Sequence, residues 1–211
     1  SSNENPTQNQ TSNSRIITWE VTDADSDGLG SMKSEIDSSK IDLIAVNDLP
    51  IIITSDDTLE YIEGSVASLI DTLITITDVD DIELSSAKVI IHNFISGDIL
   101  EFTNSYGITS NYNDSSGTLE LNGFETLENY QAALKSITFK STNDDPTQNQ
   151  TSTHRIINWY VTDANSDGAG AATNSVSSSI IKIIPTIDKP IIVGMIFIIL
   201  LETEFIKIIP T

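Results

Sequence analysis

A long internal repeat constrains the fold of this chain more than any other feature of its sequence. The stretch NPTQNQTSNSRIITWEVTDADSDGLG at 5–30 returns as DPTQNQTSTHRIINWYVTDANSDGAG at 145–170, at an offset of 140 residues (145 minus 5). The alignment continues more weakly, with SSKIDLIAVNDLPII at 38–52 matching SSIIKIIPTIDKPII at 178–192. Self-similarity at a fixed offset is the signature of structural units in tandem. We therefore expect a slice of a tandem array.

The repeat divides the chain into three expected pieces. Residues 1–49 correspond to the C-terminal part of a preceding repeat, 50–189 to a complete repeat, and 190–211 to the opening of a following repeat or to a divergent apolar tail. The third piece departs from the pattern because the apolar run IIVGMIFIILL occupies 191–201. A helix needs about 20 apolar residues to cross a bilayer, so this run predicts a strand and no membrane span.

Strand signals dominate the complete repeat. β-Branched residues alternate with polar ones in short runs, and clusters of Gly, Asn, Asp and Ser separate the runs. One stretch differs, because TLENYQAALKS at 126–136 places Leu127, Tyr130 and Leu134 on one helical face. With Thr126 as N-cap, it predicts a short helix. Many short strands, one helix per repeat and no βαβ rhythm favour an all-β fold of antiparallel β-sandwiches. The expected strands are 68–78, 87–94, 98–104, 117–123, 136–142 and 154–163.

The aromatic and histidine side chains indicate packing and give no sign of an enzyme. Trp19 and Trp159 occupy matching positions beside isoleucines, so we expect each to anchor the core of its repeat, with carbohydrate stacking as the alternative. His92 and His154 lie apart in strand-like stretches. The sequence holds no phosphate-binding Gly-rich loop, no Cys/His metal set and no nucleophile elbow. We therefore predict a protein without catalytic activity.

The charge of the chain limits its partners. It carries 31 acidic and 10 basic residues, a formal net charge of −21, and no cysteine for a disulfide framework. Nucleic-acid binding requires a cluster of Lys and Arg residues, and the sequence contains no such cluster. The excess acid therefore serves either to solvate an elongated protein or to bind divalent cations.

An acidic loop at the end of the repeated segment is a candidate cation site. In VTDADSDG at 21–28, Asp23, Asp25 and Asp27 alternate and Gly28 follows. Alternate carboxylates in a tight turn converge on one point, a glycine lets the backbone fold around it, and Ca²⁺ takes about six to eight oxygen ligands. The alternative is an ordinary Asp/Gly turn between strands. We predict calcium here and in the second copy, where the corresponding residues are Asp163, Asn165 and Asp167.

Further acids stand at strand ends and at the boundaries between repeats. They lie in TDVDD at 77–81, in the junction VNDLP at 46–50, in its counterpart IDKP at 187–190, and in YIEGS, whose glutamate we expect to reach the same boundary as VNDLP. Proline at each junction stiffens the chain and blocks strand pairing. The alternative for each group is a set of solvated acids. The candidate metal ligands are Asp78, Asp80, Asp81, Asn47, Asp48, Asp188 and Glu63.

Several of these motifs together resemble cadherin-like repeats, the Ig-like tandem extender repeats of giant bacterial surface and secreted adhesins. They are the Asn-Asp-x-Pro linker, an early Glu-Gly, an Asp-x-Asp after the second strand, GTLELNGFETLENYQAALKSITF at 117–139, and a closing Val-Thr-Asp strand. The resemblance covers most of 50–189 and the matching part of 1–49. It implies Ig-like β-sandwiches joined head to tail outside the cell, with Ca²⁺ at or near the linkers.

The resemblance also implies a ligand set and shows one departure from it. At the second linker Ile187 stands where the first has Asn47, which puts calcium at that junction in doubt. The implied ligands are Glu63, Asp78, Asp80, Asn47, Asp48 and the aspartates of the two Val-Thr-Asp loops.

The favoured function is a calcium-stabilised structural extender of a long extracellular adhesin or surface filament, which projects a distal binding region from the cell. Its partners are then the neighbouring repeats of the same chain, with no nucleic acid. Two alternatives are a module that binds a glycan or protein ligand, and a filament or surface-layer subunit. Such a subunit would associate with like subunits by strand exchange through the apolar run at 191–201.

Overall fold

The computed structural model describes residues 4–166 and 168–187, so Asp167, Asp188 and the apolar run at 191–201 lie outside the described residues. Within them the chain forms thirteen β-strands and one α-helix. The elements are β1 (Ser14–Trp19), β2 (Asp37–Asp42), β3 (Ile51–Ile53), β4 (Thr58–Ile62), β5 (Ser68–Leu69), β6 (Thr75–Thr77), β7 (Glu83–Ile91), β8 (Asp98–Glu101), β9 (Thr109–Asn113), β10 (Thr118–Thr126), α1 (Leu127–Lys135), β11 (Thr138–Ser141), β12 (His154–Asp163) and β13 (Ser177–Ile184).

Strands β3 to β13 form a β-sandwich, which confirms the predicted fold class. One layer is a six-stranded sheet in the order β4-β13-β12-β7-β10-β9, and the other combines the sheet β5-β11-β8 with the pair β3-β6. One pairing departs from the wholly antiparallel expectation, because β4 lies parallel to β13. The chain passes from β3 in one layer to β4 in the other within 54–57. A strand that changes layers without a reversing turn keeps its direction, and this places β4 parallel to β13.

The core lies between the two layers and follows the period-two alternation of the strands. In β12, Arg155, Ile157, Trp159 and Val161 are buried, and the residues between them are half-buried or exposed. Trp159 has no exposed surface, as predicted for a core anchor. Each large apolar side chain that becomes fully buried contributes roughly 1.5–3 kcal/mol, so this strand supplies a substantial share of the stability.

The single helix forms where the sequence predicts it. The Thr126 hydroxyl accepts a hydrogen bond from the backbone N–H of Asn129 at 3.2 Å and caps the first turn. Tyr130 and Leu134 are buried against the sandwich, and the Tyr130 hydroxyl donates to the carbonyl of Gly123 at 2.6 Å. Within the described residues no helix is long and apolar enough to cross a membrane.

Strands β1 and β2 form a hairpin that copies the hairpin of β12 and β13. The two hairpins have the same register, and the indole N–H of Trp19 donates to Ser39 at 3.1 Å as that of Trp159 donates to Ser179 at 2.9 Å. Among the described residues, however, β1 and β2 pair only with each other, and Trp19 is 56% exposed. The prediction that Trp19 anchors a core is therefore wrong for these residues, because a core requires the strands that flank β12 and β13.

A buried ion pair fixes the loop that precedes β12. Arg155 and Asp98 are both fully buried, with Nε 2.5 Å from the carboxylate, and a second guanidinium nitrogen donates to the carbonyl of Pro146 at 2.6 Å. In the first copy Arg15 donates to the carbonyl of Pro6 at 2.7 Å, but it is exposed. The repeated sequence therefore folds in the same local way whether or not the rest of the sandwich surrounds it.

Candidate metal centre

Segments far apart in sequence converge where the first hairpin meets the sandwich. Asp78, Asp80 and Asp81 follow β6, Asp163 ends β12, and Asn47 lies in the linker between the hairpin and β3. We call these five residues the junction cluster. Carboxylate oxygens of Asp78, Asp81 and Asp163 lie within 4.8 Å of one another. Strand β7 is antiparallel to β12, so the residues that precede β7 lie beside the end of β12.

Backbone and amide hydrogen bonds hold the cluster in place. One oxygen of Asp78 accepts from the backbone N–H groups of Asp80 at 3.1 Å and Asp81 at 3.0 Å, which closes a tight turn. The linker joins this turn, because the backbone N–H of Asp48 donates to Asp80 at 3.0 Å. The amide of Asn47 donates to Asp163 at 3.1 Å. The linker is thus attached both to the turn and to the end of β12.

Four oxygens of the junction cluster are buried without a hydrogen-bond partner among the described residues: Asn47 Oδ1, Asp78 Oδ2, Asp80 Oδ1 and Asp81 Oδ2. No Lys or Arg in the described part of the chain forms an ion pair with any of the four aspartates. A buried charged oxygen without a partner costs several kcal/mol, so such atoms are rarely left unsatisfied. An all-oxygen set rich in carboxylates matches the ligands of Ca²⁺.

The electrostatics of the cluster show the same excess of negative charge. Burial is the main cause that raises the pKa of Asp78 from 3.8 to about 6, and the neighbouring Asp80 raises it further by hydrogen bonding and charge repulsion. The backbone N–H donors of Asp80 and Asp81 act in the opposite direction. A cation among these oxygens would reverse the effect of the surrounding negative charge.

Glu63 lies at the opposite end of the sandwich from the junction cluster, and not at the boundary beside Asn47 where we expected it. It follows β4, whose parallel partner β13 starts beside the end of β12. The ten residues of β12 separate the two ends by roughly 30 Å. Glu63 Oε2 accepts from the backbone N–H of Thr186 at 2.7 Å, and its Oε1 is buried without a partner. The second linker thus has one unsatisfied carboxylate oxygen of its own.

The acidic loop of the first copy is exposed and uses its carboxylates as backbone acceptors. Asp23 accepts from the N–H groups of Asp25 at 3.1 Å and Met32 at 3.2 Å, and Asp27 accepts from Leu29 at 3.1 Å. The group of three described acids whose oxygens all lie within 4.8 Å of one another is Asp78, Asp81 and Asp163, and the three acids of this loop are not part of it.

The second copy explains why one aspartate is replaced by asparagine. Asp25 accepts from the N–H of Gly30 at 2.6 Å, and Asn165 accepts from the N–H of Gly170 at 2.6 Å. An amide oxygen can accept this hydrogen bond as a carboxylate oxygen does, so the hydrogen bond itself does not require a charge. Asp163, in contrast, is fully buried and belongs to the junction cluster.

Two residues near the cluster were not identified from the sequence. Ser166 donates its backbone N–H to Asp81 at 2.5 Å, and its hydroxyl donates to the same oxygen. Glu4 lines a small gap that Asp80 also lines. A serine in an Asp/Gly turn and an acid ahead of Asn-Pro carry no distinctive spacing, so only the tertiary contacts reveal them.

Comparison with known proteins finds distant structural similarity. No protein-family model matches the chain, and no curated protein matches it. Among solved structures, the chain is similar to protocadherin gammaB7 EC3-6 (14% identity, TM-score 0.36, 86% of this chain and 34% of that one). It is also similar to PcdhgB3 EC1-4 (14% identity, TM-score 0.38, 85% of this chain and 33% of that one). A third similar structure is mouse protocadherin-24 EC1-3 (14% identity, TM-score 0.34, 83% of this chain and 48% of that one). The chain thus spans less than half the length of these structures, and no functional property follows from values this low.

Proposed function

We propose that this chain is a calcium-stabilised structural extender segment of a long extracellular adhesin or surface filament. Residues 1–49 are the C-terminal part of one repeat, 50–189 are a complete repeat, and 190–211 open a following one or form a divergent tail. The chain acts mechanically and has no catalytic activity. Its partners are the neighbouring repeats, which hold a distal binding region away from the cell.

The unsatisfied oxygens of the junction cluster carry this proposal. Other buried acids in the described residues have partners, since Asp71 accepts from Ser55, Leu73 and Ser179, and Asp98 pairs with Arg155. Among the described residues, the cluster brings together several buried carboxylates that have unsatisfied oxygens and no Lys or Arg partner. Its oxygens suit a bound divalent cation, with Asn47, Asp78, Asp80, Asp81 and Asp163 as the residues that would hold it.

The position of the cluster suggests what the cation does. The linker between the hairpin and the sandwich is tied to Asp80 and Asp163, which belong to the complete repeat. Without a cation, carboxylate repulsion opposes this attachment. A cation shared by linker and sandwich would remove the repulsion and restrict the hinge between repeats. The array of repeats would then be rigid with the cation bound and flexible without it.

Glu63 extends the proposal to the second linker. Its buried, unpaired oxygen lies beside Thr186 at the end of β13, as expected if each linker holds a cation. Ile187 stands where the first linker has Asn47 and is almost fully exposed, so this site has at least one ligand fewer. We therefore expect the second linker to bind Ca²⁺ more weakly than the junction cluster.

A matched pair of variants of the full chain tests the proposal. Asp163→Asn removes a carboxylate from the junction cluster, whereas Asp23→Asn removes the corresponding exposed carboxylate in the first copy. Both wild-type residues accept backbone N–H groups in the same loop. Calcium titration calorimetry should show a Ca²⁺ affinity at least about tenfold lower for Asp163→Asn, while Asp23→Asn leaves the tightest site intact.

The mechanical part of the proposal is tested by small-angle scattering of the same proteins. Wild type and Asp23→Asn should shorten when EGTA replaces Ca²⁺, and Asp163→Asn should respond less. A chain that binds no Ca²⁺, or that binds it without any change in scattering, would contradict the calcium-stabilised extender.

A further inference from the structure

The two copies of the PTQNQT segment fold into the same unusual loop. Three consecutive non-glycine residues have a positive φ in each copy, a conformation that L-residues rarely adopt even singly. We call 5–12 the first left-handed loop and 145–152 the second. The φ angles are 49°, 53° and 61° at Gln8, Asn9 and Gln10, and 48°, 56° and 69° at Gln148, Asn149 and Gln150.

The first left-handed loop contacts the sandwich of the complete repeat. It reaches residues 163–170, which we call the second Asp-Gly loop and of which Asp167 lies outside the described residues. The Asn9 amide is 3.5 Å from the Ser166 hydroxyl, and the Gln10 carboxamide lies so close to Gly168 that a β-carbon there would overlap it. Gly168 is therefore both a left-handed turn residue, with φ of +74°, and the surface on which Gln10 rests.

The chain carries a second set of the same two surfaces, and both are exposed. The second left-handed loop exposes Asn149, whereas its counterpart Asn9 is half-buried in the contact. Residues 23–30, the first Asp-Gly loop, repeat the conformation of the second. Gly28 has the same φ of +74° as Gly168, but a β-carbon at Gly28 would meet nothing within 4 Å.

We propose that the second left-handed loop of one molecule binds the first Asp-Gly loop of a second copy of this chain. The contact would repeat the one inside the chain, with Asn149 and Gln150 against Ser26 and Gly28. Among the described residues, one surface of each kind is used internally and one of each kind is exposed, so the association is head to tail. Such an interface forms an open linear assembly when its rotation does not close.

This contact is independent of the proposed cation sites. Its asparagine, glutamine, serine and glycine are not candidate metal ligands, so it can exist whether or not Ca²⁺ binds. It is also small compared with the interfaces of stable complexes, so we expect weak association that becomes visible at high protein concentration. Within a tandem array the same contact would fix the orientation of neighbouring repeats, since the linker raises its effective concentration.

The test uses the full chain in EGTA, with sedimentation velocity over a wide concentration range and amide NMR shifts of the labelled protein. The average mass should rise with concentration, and the shifts should move at 149–150 and 26–28 together. Gly28→Ala should lower the association constant about tenfold or more, because its methyl group would overlap the incoming glutamine. Gly30→Ala is the control, since its φ of +101° is also unfavourable for alanine and its counterpart Gly170 has nothing within 4 Å.

A second pair of variants tests the other surface without a strained glycine. Gln150→Ala should weaken association to a similar extent, because its counterpart Gln10 lies against Gly168. Gln148→Ala should leave association unchanged, because the hydrogen bonds of its counterpart Gln8 stay within the first left-handed loop. A chain that stays monomeric at the highest concentrations would overturn the proposal. Equal effects of Gly28→Ala and Gly30→Ala on the association constant would also overturn it. So would association that Trp19→Ser abolishes and the loop variants do not, because the interface would then be the exposed face of the first hairpin.

Discussion

Replacing Asp78 by asparagine should stabilise the protein without Ca²⁺, and this gain should shrink when Ca²⁺ is present. The substitution keeps an oxygen that can accept the N–H groups of Asp80 and Asp81. In the ion-free protein it removes a carboxylate whose pKa burial and a neighbouring acid raise from 3.8 to about 6. At about 1.4 kcal/mol per pH unit, that difference corresponds to roughly 3 kcal/mol. Solvent screening of this partly buried group reduces the expected effect to about 1–2 kcal/mol.

The direction of the pH dependence follows from the raised pKa. A carboxyl group with a higher pKa in the folded state contributes stability below its unfolded pKa of 3.8, and this contribution is lost as the pH rises through about 6. Without Ca²⁺, wild type should therefore lose about 1–2 kcal/mol more than Asp78→Asn between pH 4 and pH 7. With Ca²⁺ at ten times its dissociation constant, one site adds about 1.4 kcal/mol to wild type, and the variant gains less.

Urea unfolding at pH 7 in EGTA and in CaCl₂ measures both effects. Asp78→Asn should be more stable than wild type in EGTA, and this advantage should shrink or disappear in CaCl₂. Asp57→Asn, which removes an exposed acid from the loop before β4, is the control. It should leave the free energy of unfolding nearly unchanged in both buffers. If Asp78→Asn destabilises the protein equally in both buffers, the carboxylate acts only as a hydrogen-bond acceptor and the cation reasoning fails.

Three further predictions concern the fold, each measured by urea unfolding in EGTA. Asp98→Ala should lower the free energy of unfolding by about 3–5 kcal/mol, because Arg155 would remain buried without its partner; a loss below about 1 kcal/mol would contradict this. Trp159→Ala should cost about 3–5 kcal/mol and Trp19→Ala less than about 1 kcal/mol, and similar costs would contradict the difference in burial. Thr126→Ala should cost about 1 kcal/mol by removing the helix cap, and no measurable loss would mean that the cap adds nothing.

Local patterns predicted much of the fold. The alternation of β12, the turn residues between strands and the N-cap of α1 depend on neighbours in sequence, and they appear in the structure where we expected them. The edge strand β9, with the sequence TSNYN, was not predicted, because an exposed edge requires little apolar character. The parallel pairing of β4 with β13 was also missed. It depends on a change of layer that leaves no periodic signal.

The candidate site was only partly predictable. Acids in tight turns are visible in a sequence, but their burial is not, and burial separates Asp163 from its exposed counterpart Asp23. The two residues occupy corresponding positions in the two copies of the loop and accept corresponding backbone hydrogen bonds. Only the strands around β12 make one of them part of an acid cluster with unsatisfied oxygens.

By itself the sequence determined the internal repeat, the β-rich character, the helix and the excess of negative charge. These properties follow from repetition, residue periodicity and composition, which need no knowledge of distant contacts. The tertiary structure decided which acids meet, that Glu63 lies at the far end of the sandwich, and that Trp159 is buried while Trp19 is exposed. Burial and electrostatic interaction depend on neighbours in space, and similar local sequences acquire different neighbours when one copy is enclosed by strands and the other is not.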